Sequence, residues 1–252
     1  MPTATGVYIY GIVPADVETD PEAHGIGEES ARVDVVRHGR IAALVTDVSL
    51  DRPLGTPDDL LGHEGLLDAV AAVVPVLPMR FGAVLTSREA TVDELLAPHH
   101  DEFEAALREL EGLAQYLVSA RYVRDTVLRE VLTEDPDLRR RRDAIRDRPE
   151  EETHAERIAL GERIGGAIDT RRDADAAKLA DALEPVCTDL VRRAPTGEFD
   201  VAAIAVLAET ARERELVRTV ERLAHDWDGR IEVRLLGPVA PYDFTAEPQP
   251  EG

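Results

Sequence analysis

The stretch Val201-Ala202-Ala203-Ile204-Ala205-Val206-Leu207-Ala208 decides the fold. It has no polar face, so it reads as a strand buried on both sides in the middle of a sheet. Toward the C-terminus, Leu216, Val220, Leu223, Ala224 and Trp227 fall on one side of a helix. Asp228-Gly229 then turns the chain into 231–235, an alternating strand. Toward the N-terminus, helical segments fill roughly 124–192. Val127, Leu128, Val131 and Leu132 make a short stripe there. Ala176, Leu179, Ala180, Leu183, Cys187 and Leu190 make a longer one. Before them, Ala114, Tyr116, Val118, Ala120 and Tyr122 alternate with Gln115, Ser119 and Arg121, the pattern of a half-buried strand. Strand, helices, strand, helix, strand is a split β-α-β arrangement of ferredoxin-like type. The charged span 135–152, with Pro136 and Pro149, is expected to be mobile or to protrude.

The N-terminal half gives a second α+β unit. Residues 7–13 (VYIYGIV) are apolar on both faces and suit a buried strand. Residues 14–29 are polar with Pro and Gly and read as a long loop. Residues 33–36 and 41–45 flank His38-Gly39 and form a hairpin. A helix follows, capped by Thr56 or Asp58 with Pro57 in its first turn. Leu60, Leu67, Val70, Ala71 and Val74 are expected on its inner face, with His63 on the same side. Pro75 and Pro78 force an extended stretch. Thr86 or Ser87 opens another helix, interrupted near Pro98 and ended by Gly112. The expected fold class is therefore α+β with two domains. An N-terminal domain spans 1–112. A C-terminal ferredoxin-like domain spans 113–252, with the helical insertion at 124–192 and a flexible tail at 245–252.

Composition narrows the function. Hydrophobic residues make up 44% of the 252 and aromatics only 4%, so the core is aliphatic. The formal net charge is −22. Nucleic acid and anionic membrane surfaces repel such a chain, whereas its own solubility benefits. Cys187 is the only cysteine, so no internal disulfide forms, which fits a reducing cytoplasm. The N-terminus lacks the pattern of a signal peptide, and no apolar run approaches the ~18 residues of a membrane span.

A search for chemistry returns little. Lys178, the only lysine, lacks a phosphate-loop context. Gly25-Ile26-Gly27 lacks the setting of a dinucleotide site, and zinc and nucleophile-elbow patterns are absent. His99-His100-Asp101-Glu102 is the densest group of ligand-type side chains, but neighbouring helical residues diverge by ~100°. It reads as a solvated helix start, with His99 and Glu102 able to share a face. His63-Glu64 reads as a partly buried histidine with one hydrogen-bond partner rather than as a general base. Arg139 to Arg142 reads as a solvated helix face, with docking of an acidic partner as the sharper alternative. No catalytic, metal or cofactor site is expected.

Three segments in register carry a resemblance. They are Gly6-Val7-Tyr8-Ile9-Tyr10-Gly11-Ile12-Val13, Val76-Leu77-Pro78-Met79-Arg80-Phe81-Gly82, and Gly237-Pro238-Val239-Ala240-Pro241-Tyr242-Asp243-Phe244. A fourth, Arg157-Ile158-Ala159-Leu160-Gly161-Glu162, looks like a helical R-I-x-L-G-E stretch. Together they resemble the gas-vesicle F/L protein family across nearly the whole chain. Val239-Ala240 and Gln115-Tyr116-Leu117 depart from its usual pattern. The resemblance implies two α+β domains, the N-terminal one also ferredoxin-like. It implies a cytoplasmic, non-catalytic accessory role in gas vesicle assembly, as a chaperone-like protein or a minor vesicle component. It implies binding to the small hydrophobic shell protein or to other accessory proteins, with no cofactor.

Arg80, Phe81, Gly82, Pro238, Pro241, Tyr242 and Phe244 are the candidate residues, either as partner contacts or as a clamp between domains. Arg80 offers a planar fork, Gly82 permits a turn, and Tyr242 and Phe244 either pin the C-terminus or anchor a partner. The alternative reading is a small-molecule regulatory module, or an enzyme using His63, Glu64 and Arg80 in an interdomain cleft.

Overall fold

The structure, a computed structural model, describes residues 5–19, 25–26, 32–51 and 53–245. The chain divides into two compact units. One comprises Met1–Tyr116, Glu209–Ala211 and Gly237–Gly252; the other comprises Leu117–Ala208 and Arg212–Leu236. The segment from Gly237 thus groups with the first unit, where the sequence reading set one boundary at 112 and kept everything after it together. Of the expected flexible tail, only Thr245 lies among the described residues.

The first unit opens with β1 (Thr5–Pro14), then a hairpin of β2 (Asp34–His38) and β3 (Ile41–Ser49). Helix α1 (Pro57–Ala71) follows, then two short strands, β4 (Leu77–Pro78) and β5 (Val84–Leu85). Helix α2 (Arg88–Ala90) widens into a π-helical turn at Thr91–Leu96, and α3 (His100–Glu109) resumes beyond Pro98. The sheet order is β2-β3-β1-β4, with β5 also on β1. β1 is central, as its two apolar faces require. Its register against β3 slips between Ile9 and Gly11, which leaves Tyr10 in a bulge.

Helix α1 starts as read. Thr56 accepts the Asp59 N–H, and the Asp59 carboxylate accepts the Thr56 N–H, a reciprocal capping box. Its inner face is the expected one with one exchange. His63 and Leu67 are buried and Val70 and Ala71 pack against the core, while Leu60 is exposed and Asp59 is buried. Polar side chains take the inner face here because each finds a hydrogen-bond partner there.

The second sheet runs β7-β8-β6-β9. Its strands are β6 (Leu113–Tyr122), β7 (Asp189–Arg193), β8 (Asp200–Glu209) and β9 (Ile231–Val239). Between β6 and β7 lie α4 (Arg124–Glu134), α5 (Pro136–Ile145) and α6 (Glu150–Leu183). Between β8 and β9 lies α7 (Glu213–Asp226). This is the split β-α-β order, with β8 inside the sheet as its sequence dictates.

Two expectations about this region change, and a third gains detail. Residues 189–193 form a strand rather than the end of a helix; Pro185 forces a 3₁₀ turn at Glu184–Val186, so Cys187 and Leu190 leave the helical stripe. The span 135–152, within the expected helical segments, holds α5 and the start of α6. Asp135 caps α5 through the N–H groups of Asp137 and Leu138, Leu138 and Ile145 are buried, and Arg163 of α6 clamps Asp137 at 2.7 Å. Gln115, expected to face solvent, is buried.

The core of the second unit holds one buried carboxylate. Asp175 accepts from Tyr122 Oη at 2.8 Å and from Arg230 at 2.7 Å, with Lys178 at 3.5 Å. Arg230 also reaches Glu130 at 3.1 Å and lies over the Tyr122 ring. These partners hold the Asp175 pKa below the ordinary carboxylate range despite burial, which acts the other way and is the largest single influence.

Candidate functional site

The three strand and terminal motifs converge within the first unit. Tyr8 and Tyr10 sit two residues apart on β1, so their side chains start from one face of the strand. Opposite them, α1 presents His63. The loop between β4 and β5 supplies Phe81, and the segment after β9 supplies Tyr242.

His63 is 1% exposed and bonded through both ring nitrogens. Nδ1 lies 2.9 Å from Tyr8 Oη, and Nε2 lies 2.8 Å from Tyr242 Oη. Tyr8 Oη already accepts the Gly82 N–H at 3.1 Å. If Tyr8 donates its own proton to Nδ1, the imidazole proton lies on Nε2, on the Tyr242 side. The Tyr10 ring stacks on the imidazole at 5.7 Å and 22°, and Phe81 meets it edge-on at 5.5 Å. Burial lowers the His63 pKa, opposed by a Met79 backbone hydrogen bond, so the ring is neutral. Burial raises the Tyr8 pKa to about 12 and pushes Tyr242 up as well.

A second hydrogen-bond chain closes beside the first. The Ile26 N–H donates to Tyr10 Oη at 2.7 Å, Tyr10 donates to Thr46 Oγ1 at 3.0 Å, and Thr46 donates to the Arg32 carbonyl at 3.0 Å. Each buried hydroxyl thus both donates and accepts.

The terminal segment is tied down at more points. The Ala240 N–H donates to Asp68 Oδ1 of α1 at 2.8 Å. Gln115 Nε2 donates to Asp243, and the Asp243 N–H returns to Gln115 Oε1 at 3.1 Å. Gly237 has φ 144°, and a Cβ there would stand 2.7 Å from the Tyr116 ring, so glycine is required. Gly82 has φ 93°, which lets the loop turn and aim its N–H at Tyr8.

The candidate residues therefore separate into two groups. Phe81, Gly82 and Tyr242 join the cluster around His63. Pro241 is buried, and Pro238 and Phe244 are partly buried, in the segment that carries Tyr242. Arg80 is exposed. Tyr8, Tyr10 and Thr46 were missed. The available signal was two hydroxyl-bearing rings inside an otherwise apolar strand, each needing a partner.

The acidic-histidine group is a salt-bridge cluster. Ligand atoms of His100, Asp101 and Glu104 lie within 4.8 Å of one another, closer than helical divergence suggested, because Glu104 lies one turn on from His100. Glu104 is occupied by Arg40 at 3.0 Å and Arg108 at 2.7 Å. His99 pairs with Glu102 at 3.3 Å, as its position allowed. In the basic run, Arg140 and Arg141 pair with Asp137, and Arg142 pairs with Asp143. A concavity of about 450 Å³ on the second sheet is lined by both signs of charge, with Arg121 3.9 Å from Asp200 and Arg234 3.7 Å from Glu232.

Two split sheets, with a neutral tyrosine-histidine cluster fastening the terminal segment to the first, define an α+β protein whose motif residues bind one another. The chain belongs to the family described as gas vesicle synthesis protein GvpL/GvpF, whose model matches residues 6–246. It is 32% identical over 240 residues to gas vesicle protein F of Streptomyces sp. (strain CB03234), covering 94% of this chain and 98% of that protein. Gas vesicle protein L of Haloferax mediterranei is 23% identical, covering 88% of this chain and 73% of that protein. The fold matches the crystal structure of GvpF from Anabaena sp. PCC7120 with a TM-score of 0.79 at 23% identity, over 97% of this chain and 100% of that one. GvpF from Microcystis aeruginosa matches at 0.74 and 23% identity, over 95% and 98%. Family membership implies a role in gas vesicle formation. Among the described residues, no helix is long and apolar enough to cross a membrane.

Proposed function

We propose that this chain is a non-catalytic, cytoplasmic accessory protein that binds the small hydrophobic shell protein during gas vesicle assembly, alone or with other accessory proteins. Retention as a minor vesicle component belongs to the same proposal. The observation that carries it is the family match over 6–246, with relatives named both F and L. The physical support is solubility. A shell protein that lines a gas space exposes apolar surface before it assembles, and such surface aggregates unless covered. A carrier of net charge −22 stays dispersed while covering it. The alternative, an enzyme or ligand module built on His63, Glu64 and Arg80, loses its base. Both nitrogens of His63 are already engaged by tyrosine hydroxyls, while Glu64 and Arg80 are exposed. Co-expression with the shell protein should raise that protein's soluble fraction and co-purify the two. An unchanged soluble fraction with no co-purification would end the proposal.

A further inference from the structure

Among the described residues, nothing packs on the row of α1 that faces away from its buried side. Its inner side, Asp59, His63 and Leu67, is buried. Its outer side carries Leu61, Gly65 and Ala69 at four-residue spacing, continued by Val73 just past the C-cap. Leu61 is 67% exposed and Val73 is 82% exposed; Leu60 is also exposed. Tyr242, itself exposed on one side, reaches this helix through His63. An apolar row of this kind on so charged a chain marks an interaction surface.

Two further features say what covers it. First, residues 57–74 carry no Lys or Arg, and of their four acids Asp58 and Glu64 are exposed, whereas Asp59 is buried in the helix cap and Asp68 accepts the Ala240 N–H. A matching partner face is apolar and edged with basic side chains. Second, a Cβ on Gly65 would meet nothing within 4 Å. Glycine inside an exposed helix costs about 1 kcal/mol relative to alanine, and nothing within the described chain requires it there. Gly161, Gly165 and Gly166 of α6 are equally open, so Gly65 lets a second helix approach this row closely and the charge and exposed side chains beside it choose the face.

We propose that the outer row of α1, from Leu61 through Gly65 and Ala69 to Val73, docks an amphipathic helix of the shell protein, with an apolar face flanked by Lys or Arg. This rests on the proposed function and adds the surface and the partner's chemistry. Glu64 and Asp58 at the edge set orientation and speed of encounter, and the leucines and Val73 supply the contact area.

The test uses full-length protein and the co-expressed shell protein. Leu61→Glu with Val73→Glu keeps good helix formers or exposed positions, so the melting temperature should hold. Binding should weaken at least about tenfold, the scale of losing a hot-spot contact. Ile158→Glu on α6, an equally apolar position 50% exposed in the other unit, should change binding less than about twofold. Gly65→Leu, which has open space in the free protein, should fold and bind poorly. Raising salt should slow association with wild type, and Glu64→Lys should blunt that dependence. If the folded double variant binds like wild type, or Ile158→Glu loses as much, the α1 face is wrong while the assembly role stands. If salt has no effect, the basic-edged partner is wrong. If wild type itself retains no shell protein, the assembly role fails first.

Discussion

The two sheets have the same strand order and different fastenings. In each, the strand that comes first lies inside, flanked by the third and the fourth, with the second on the far edge. In the second sheet, the crossover from first to second strand carries α4, α5 and α6. In the first sheet, the described residues of that crossover, between β1 and β2, contain no helix. The second unit holds its helices with ion pairs: Asp175 with Arg230, Asp137 with Arg163, and Arg171 with Glu134. The first also ties α2 to its sheet by charge, Arg88 to Asp34 and Asp47, but fastens its terminal segment through neutral hydrogen bonds between tyrosines and a histidine. One topology thus carries a buried charge cluster in one place and a buried hydroxyl-imidazole cluster in the other. The two should fail under different conditions.

The largest effect belongs to the buried carboxylate. Arg230→Met should destabilise the second unit by about 3 kcal/mol, because it strands Asp175 with only Tyr122 and a distant Lys178. Hydrogen exchange resolved by segment should show the loss in α4, α6 and β6, with the first sheet unmoved. An equal loss in both units would break the comparison.

Tyr8→Phe should cost about 1–3 kcal/mol in the first unit, since it leaves His63 Nδ1 and the Gly82 N–H without their partner. Urea melts of the variant check this. A change within experimental error would mean that the hydroxyl contributes nothing.

Acidification should separate the units without mutation. The folded His63 pKa lies below its unfolded value of about 6.5. The unfolded chain therefore binds the proton more readily, and stability from this group is present above that value and falls as pH drops through it. Asp175 has a lowered pKa, so its contribution persists until pH falls below the ordinary carboxylate range. Asp68, raised by burial, acts the other way near that same range and slightly favours the folded state on acidification. Between about pH 7.5 and about pH 5.5, the first unit should lose protection while the second does not. His63→Gln should flatten that response.

The smallest effect is Gly65→Ala, which should raise stability by up to about 1 kcal/mol, through helix propensity alone. A loss would mean that α1 needs glycine for its own packing.

The strand at 201–208, the hairpin at His38-Gly39 and the Thr56 start of α1 were legible because each depends on local chemistry: a continuous apolar run, a glycine at a turn, a capping side chain. The strand at Asp189–Arg193 was not, because its partner β8 is chosen by pairing at a distance and not by periodicity. The helices in 135–152 were legible, but the tie between them was not, because Arg163, beyond that span, pairs with Asp137. Tyr242 and Phe244 were readable as anchors from the scarcity of aromatics. The link from Tyr8 through His63 to Tyr242 joins residues 55 and 179 positions apart, a separation no local pattern encodes. Leu60 reads as inward on hydropathy but is exposed, and Asp59 takes a buried place through its capping bonds.

The most direct measurement places a photo-reactive amino acid at position 61 of the full-length protein, and another at position 158, in cells making the shell protein. Position 61 should yield a covalent adduct with the shell protein, and position 158 should yield little. An adduct from 158 alone, or none from either while vesicles form normally, would contradict the assignment of α1 as the face that meets the shell protein.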